Sequence, residues 1–415
     1  SEEVLNEYRR THYDPNAKKK IAWVIPHPGK GSGGHRTIIQ NVNALIRQGY
    51  ECDIYVEDDN VSTAEMVKQK INEYYEPCDA GVYVGIRMRK DYDIVFATGW
   101  QIVEFVRNLP AKHKGYFIQD FEPWFFPMGD QYIITENSYR YGFKPVIGKW
   151  LAHKMLAEYE NPVEYFDFGA DLNVYKKLDN VKKENAICFV YQPEKSRRCD
   201  YIGLKALRIV KTLRPDIQIY LYGSNMPATF DFECKNLNII PITKCNELYN
   251  KCKVGVCMSA SNPSRIPFEM MAAGLPVVEL YKENNIYDMP DEGVLLARPT
   301  PEAIASAIIH LVDSEEERNK MSEFGVKYMQ DYPLERGFKQ FLKAVDDMLN
   351  TDYNNTEAIN PIYNKKPFEA TKEATQIAKT MTPVVHVDER GKVYRFLRRV
   401  KRKLREILVK MGIKK

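Results

Sequence analysis

The sequence predicts an α/β protein made of two successive Rossmann-like, doubly wound parallel-sheet domains that face each other across a cleft. Three observations predict it. Buried strand-like runs and amphipathic helical runs alternate twice over along the chain. A glycine-rich turn, HPGKGSGGHR (His27 to Arg36), follows the first strand-like run. At 415 residues the chain is too long for a single hydrophobic core.

Residues 1–170 form the first half. It opens on KKKIAWVIP (Lys18 to Pro26), a buried strand, and passes through the glycine turn into TIIQNVNALIRQGY. That run carries Ile38, Ile39, Val42, Leu45 and Ile46 at helical spacing and stops at Gly49. ECDIYVED, GVYVGI, DIVFAT, KGYFIQD, PVIGK and VEYFDF read as further strands. Residues 171–335 repeat the alternation: NAICFVY, a helix YIGLKALRIVKTL, IQIYLYG, LNIIPI, a helix around NELYNKC, VGVCMS, a helix FEMMAAG, the strand Leu275 to Leu280, VLLARP and two final helices. A long helix running on through 336–350 is expected to bridge back to the first half. A polar linker or strap follows over 351–391, and a basic amphipathic helix over 392–415.

A content of 44% hydrophobic and 28% charged residues describes a soluble globular chain, and no apolar run of about 18 residues is present to span a membrane. The N-terminus is charged from its second residue, unlike a signal or transit peptide, so a cytoplasmic location is expected. The eight cysteines form no C-x-x-C pair, which favours reduced, buried thiols over zinc or disulfides. The net charge of +4 conceals an asymmetry: the stretch from Lys392 onward holds eleven Lys or Arg and one acid, Glu406. The basic character therefore belongs to the tail, not to the body.

The stretch SASNPSRIPFEMMAAGLPVVEL (Ser259 to Leu280) concentrates the chemistry. A loop leaving the carboxyl end of a parallel strand and entering a helix offers backbone N–H groups and a positive dipole end to a phosphate. Glu269, one turn into that helix, is placed to accept hydrogen bonds from two sugar hydroxyls, or to be an ordinary first-turn charge. Lys195, Arg197 and Arg198 follow another buried strand, where they either face the same cleft and suit a diphosphate leaving group without a metal or form an ordinary surface charge cluster. Gly29, Gly31 and Gly34 have the G-x-G-x-x-G spacing of a dinucleotide site, which keeps an NAD-dependent sugar oxidoreductase or epimerase open as an alternative. The same glycines, with Gly33, could instead let the backbone approach a diphosphate held by the second half. Asp91 and Asp93 spell a D-x-D pair but stand at a strand's entry, away from the cleft, and read as solvated; no metal and no cofactor are expected. In YFIQDFEPWFFP, Gln119, Asp120 and Glu122 beside Trp124, Phe125 and Phe126 read either as a sugar-acceptor pocket or as a packed apolar loop with acids at its rim.

These residues resemble the GT-B glycosyltransferases, and within them the retaining family-four group, over roughly residues 20–350. FEMMAAGLPVVE is similar to the second half of that group's E-x7-E signature, which makes Glu269 the ribose-binding glutamate. Ser261 holds the first glutamate's place, a departure from the pattern. The resemblance further implies that Gln192, Lys195, Arg197 and Arg198 hold the diphosphate, with Gly33, Gly34, Gly223, Lys244, Ser261, Arg265, Ile266 and Pro267 completing the donor site. It places His35 and Arg36 with Gln119, Asp120, Glu122 and Trp124 on the acceptor, and makes Asp120, Glu122, Lys195 and Arg198 the catalytic set. Two routes stay open there: the leaving diphosphate takes the acceptor's proton on the same face, or Asp120 attacks as a nucleophile. The first half looks most like bacterial rhamnosyltransferases that build surface-layer glycans from dTDP-rhamnose, which implies transfer of L-rhamnose with retention and a beta-1,2 linkage.

The tail sets Val393, Phe396, Leu397, Val400, Leu404, Ile407, Leu408 and Met411 on one helical face among its cations. Such a helix suits the anionic inner face of the plasma membrane and an acceptor glycan carried on a lipid. The rival readings are a nucleic-acid arm and a final helix packed against the body; no nucleic-acid partner is expected.

Overall fold

The computed structural model describes residues 18–142, 144–159, 163–350 and 358–381. In the first half, β1 (Lys20–Val24), β2 (Glu51–Val56), β3 (Gly81–Val84), β4 (Ile94–Ala97) and β5 (His113–Tyr116) form one parallel sheet in the order β3-β2-β1-β4-β5. The helix α1 (Gly33–Arg47) covers one face. It starts where the Ser32 hydroxyl accepts the His35 N–H and buries Ile38, Ile39, Val42 and Leu45. Gly49 turns the chain beyond it at a φ of +91°, which glycine adopts without strain. The helices α2 (Ala64–Tyr74), α3 (Trp100–Asn108) and α4 (Asp130–Asn137) fill the connections. Two more strands, β6 (Lys144–Ile147) and β7 (Val163–Phe166), flank α5 (Lys149–Glu158). They pair in parallel, and a bridge from Ile118 to Val146 joins them to the edge of the sheet.

The second half repeats the plan. Its strands are β8 (Ala186–Val190), β9 (Gln218–Tyr222), β10 (Lys235–Asn236), β11 (Val254–Val256), β12 (Val277–Leu280) and β13 (Val294–Ala297). All pair in parallel in the order β10-β9-β8-β11-β12-β13. That is a doubly wound order, with its crossover reversal between β8 and β11. The helices are α6 (Asp200–Leu213), α7 (Ile242–Lys251), α8 (Ile266–Ala272), α9 (Glu283–Ile286), α10 (Pro301–Asp313) and α11 (Glu315–Met329). Buried aliphatic residues of β8, β9 and β11 pack against Ala206, Leu207, Val210, Ile304 and Ile308 of α6 and α10.

The helix α12 (Leu334–Asn350) lies against the first half. Phe341, fully buried, sits 5.4–5.9 Å from the rings of Trp23, Phe96, Phe117 and Phe166. The chain thus crosses between halves near Ala170 and again near Pro333, and those two residues are paired in a parallel bridge. Arg336 and Gln340 hold Asp167 at 2.8 and 2.9 Å beside the crossing.

Three segments differ from expectation. LNIIPI is not a strand: the short β10 lies just upstream, Asn238 turns the chain at φ +58°, and Pro241, with no N–H to pair, precedes α7. Asp93 is not solvated. It is 8% exposed, accepts the Lys20 N–H at 2.8 Å and pairs with Lys112 at 2.7 Å, so it ties the start of β4 to β1. The segment read as irregular linker contains, in its described part, a helix α13 (Lys372–Thr380) capped by Thr371. Before it, Phe368 bonds to Leu296 and Arg298 along the outer edge of β13. The basic segment 392–415 lies outside the described residues.

Candidate functional site

Two loops of the second half, leaving the strands that flank the crossover reversal, meet the first half. One follows β8 and carries Gln192 to Cys199; the other follows β11 and carries Cys257 to Arg265. The two are tied together: the Ala260 N–H donates to the Arg197 carbonyl at 2.9 Å, and an Arg198 Nη1–H donates to the Ser259 hydroxyl. Lys195, Arg197 and Arg198 therefore gather at the mouth of the sheet. Burial lowers the pKa of Lys195, and the neighbouring guanidinium groups lower it further. Among the described residues only Arg197 of the three is ion-paired, its Nε lying 3.2 Å from Asp120 Oδ2 in a geometry that falls short of a hydrogen bond.

Asp120 belongs to the first half, so this pair spans the cleft. Its Oδ1 accepts the Asn262 N–H at 2.8 Å and the Phe121 N–H at 2.9 Å. Asn262 also donates from its side chain to the carbonyls of Gln119 (2.8 Å) and Ile147 (3.0 Å). The Phe125 ring lies under the Arg197 guanidinium at 4.6 Å. Glu122 sits behind Asp120 on a short 3-10 turn, Glu122–Phe125, and accepts the Trp100 N–H and the Tyr116 hydroxyl, each at 2.8 Å. Burial pushes its pKa up to about 7 against the pull of those two donors. Tyr139 supports both acids: its buried hydroxyl accepts the Glu122 N–H and donates to the Asp120 carbonyl. Trp124 is 40% exposed at the rim, against Trp150 at 5.3 Å and with the Lys154 ammonium over its ring.

At the other end of the cleft, Glu269 is half-buried beside Arg265, Tyr175 and Arg36. Removal of its carboxyl from water raises the pKa to about 7, opposed by the Arg265 charge and the Tyr175 hydroxyl. Arg36, expected on the acceptor, thus adds its charge on the Glu269 side. Arg265 reaches Gln40 of α1 at 2.7 Å, so this loop also touches the first half. Ile266 and Pro267 begin α8 there, and Gly223, at φ +115°, leaves β9 beside the Gln192 side chain. Gly34 lies against Gln119, which donates to its carbonyl at 3.2 Å, and Gly33 starts α1 one residue before it.

Three expected residues are otherwise occupied or placed. His35 has both ring nitrogens engaged within its own loop, with Ser32 at 2.8 Å and the Pro26 carbonyl at 3.0 Å. A carbonyl only accepts, so Nε2 carries the proton and Nδ1 accepts from Ser32. Ser261 is 1% exposed, and its hydroxyl finds no partner among the described residues. Lys244 is an exposed member of an i,i+3 pair with Glu247 on α7. Two cavities lie elsewhere, a groove of about 770 Å³ along α2 and β3 and an apolar space of about 140 Å³ under α3.

Sequence reasoning missed several polar side chains that assemble this site: Ser259, Asn262, Glu279, Asn284, Asn285 and Asp288. Asn284 and Asn285 are fully buried and donate to the Ser259 carbonyl, and Asp288 accepts the Lys149 and Trp150 N–H groups at the start of α5. The signal available was a polar run, ENNIYD, set just after the buried strand β12.

Two doubly wound domains facing each other across a cleft, with the last long helix returning to the first domain, define the GT-B fold. Solved structures share it. Anabaena HepE in complex with UDP and glucose matches 79% of this chain and 99% of its own at a TM-score of 0.60 and 13% identity. A variant of S. aureus TarM, solved with fondaparinux, alpha-GlcNAc-glycerol and UDP, matches 80% and 100% at 0.62 and 10%. Residues 185–309 match the family described as WsaF, C-terminal domain. The O-antigen biosynthesis protein RfbC of Myxococcus xanthus is 26% identical over 303 residues, 69% of this chain. The chain spans only 24% of that relative's length.

Proposed function

We propose that this chain is a glycosyltransferase that moves a sugar from a nucleoside-diphosphate donor onto a growing cell-surface glycan. The observation that carries the reading is the gathering of Lys195, Arg197 and Arg198 at the end of β8, beside the loop and helix that present Arg265 and Glu269. Cations at the crossover reversal suit a diphosphate, and a carboxylate one helical turn into α8 suits the ribose hydroxyls. The family match over residues 185–309 covers this donor half, and the O-antigen relative points to a glycan acceptor.

In the proposed reaction the bond between the sugar's anomeric carbon and the diphosphate oxygen breaks. The acceptor hydroxyl oxygen forms the new bond on the same face, and its proton passes to the departing diphosphate. Lys195 and the arginines, in place of a metal, stabilise the charge that develops on that leaving group. Asp120, with Oδ1 holding two backbone N–H groups and Oδ2 facing the Arg197 charge, orients groups around the reacting centre instead of attacking it. The finer reading is L-rhamnose from dTDP-rhamnose with retention, making a beta-1,2 linkage on a lipid-linked glycan, with the basic tail on the anionic cytoplasmic face of a membrane. It rests on the resemblance of HPGKGSGGHR and YFIQDFEPWFFP and on the tail's charge.

The oxidoreductase alternative gains no support from the glycine turn. A dinucleotide's pyrophosphate would sit at the start of α1, where Ser32 caps the helix and His35 is bonded across the loop. Thermal shift with dTDP, UDP and NAD, followed by a donor panel with product stereochemistry, tests the reading. Stabilisation by a nucleoside diphosphate and a product of retained configuration are expected. Stabilisation by NAD alone would overturn it.

A further inference from the structure

We propose that Glu279 is a positioning residue that fixes the Arg198 guanidinium, through the Ser259 hydroxyl, for the diphosphate of the donor. The proposal rests on the glycosyltransferase reading and adds a residue outside the expected donor set. Glu279 is the third residue of β12 and is fully buried. One carboxylate oxygen accepts the Leu280 N–H at 2.8 Å and the other faces the Asn285 side-chain amide at 3.3 Å, so the group cannot swing. Ser259, also fully buried, lies beside the same carboxyl group: Asn285 donates to the Ser259 carbonyl at 3.4 Å as well as to Glu279, and the Ser259 hydroxyl oxygen receives Arg198.

Chemistry sets the direction of this relay. A guanidinium only donates, so the hydroxyl accepts from Arg198 and turns its own proton toward the Glu279 side chain, whose oxygens can accept it. Burial drives the Glu279 pKa up to about 8, while the Leu280 N–H and the Arg198 charge pull it back. A buried acid held in this way has a cost that an apolar residue in β12 would avoid, so its presence calls for a role. Direct pairing would cover the guanidinium with a carboxylate, as Asp120 does for Arg197. The hydroxyl spacer instead takes one N–H of Arg198 and leaves the others to bond phosphate oxygens.

The test measures binding of UDP and dTDP to the full chain and to its Glu279→Gln, Ser259→Ala and Ser259→Thr variants. Glu279→Gln and Ser259→Ala should each weaken nucleoside-diphosphate affinity by about tenfold, the effect of losing one charge-assisted hydrogen bond. The double variant should be no worse than the worse single one, because both cut the same relay. Ser259→Thr, which keeps the hydroxyl, should bind like the wild type. If Glu279→Gln fails to fold, the two Ser259 variants decide the matter. Wild-type affinity in Ser259→Ala, or additive losses in the double variant, would overturn the proposal alone. A wild-type protein that binds neither nucleotide would overturn the glycosyltransferase reading, and the proposal with it.

Discussion

Changing Asp120 to Asn replaces one carboxylate oxygen with an amide in the contact that joins the two halves. Oδ1 can still accept the Asn262 N–H, but the atom facing Arg197 at 3.2 Å becomes a donor opposite a donor. At that 3.2 Å separation and an effective dielectric of about 20, the lost attraction is about 5 kcal/mol before solvation. Desolvation of both groups cancels much of this, leaving a net effect of about 1–3 kcal/mol. Arg197 is then freer to meet a diphosphate, so UDP or dTDP affinity should hold or tighten. Turnover should fall by about 100-fold or more, because the charge proposed to act at the anomeric centre is gone. Nucleotide titration and single-turnover transfer measure the two quantities separately. Unchanged turnover would refute any role of Asp120 in the reaction.

Glu269 carries a pH prediction. With its pKa raised to about 7, the free carboxyl takes up a proton as the pH falls through 7 and can no longer accept from both of the ribose hydroxyls proposed for it. The donor KM should therefore rise as the pH is lowered across that value, and Glu269→Gln should have a high KM without that step. Tyr139→Phe removes the hydroxyl shared by the Glu122 N–H and the Asp120 carbonyl, and should cost about 1–3 kcal/mol of stability together with activity, read by denaturant titration and transfer assay. Phe341→Ala should destabilise by about 3–5 kcal/mol in the same titration, since the ring fills a site among four other aromatic side chains.

The fold is legible because strands buried on both faces read as aliphatic runs. β1, β8 and β12 stand where KIAWV, AICFV and VVEL announce them. LNIIPI misleads for the same reason: an apolar run looks like a strand until Asn238 and Pro241 are weighed as breakers. The donor half is legible at the level of strand ends, since Lys195 to Arg198 and Ser264 to Glu269 follow buried strands closely. The partnership of Asp120 with Asn262 and Arg197 is not. Asp120 and Asn262 stand 142 residues apart, and no local period records which loops meet across a cleft. Glu279 escapes a reading of the sequence because a single acid in an aliphatic strand has meaning only once its neighbours are known.

The strap along β13 bears on where this chain can be shortened. An outermost strand presents a row of unused N–H and carbonyl groups, a template on which a second molecule can add its own strand. Here Phe368 occupies part of that row, its N–H donating to the Leu296 carbonyl and its carbonyl accepting the Arg298 N–H. The Tyr363 hydroxyl accepts the Leu296 N–H at 3.1 Å, and Ala374 of α13 is packed into the second core. A chain ended after Asn350 would keep every residue assigned to the donor and acceptor, yet bare this edge. Its failing would be self-association: filaments or precipitate from an otherwise complete active centre.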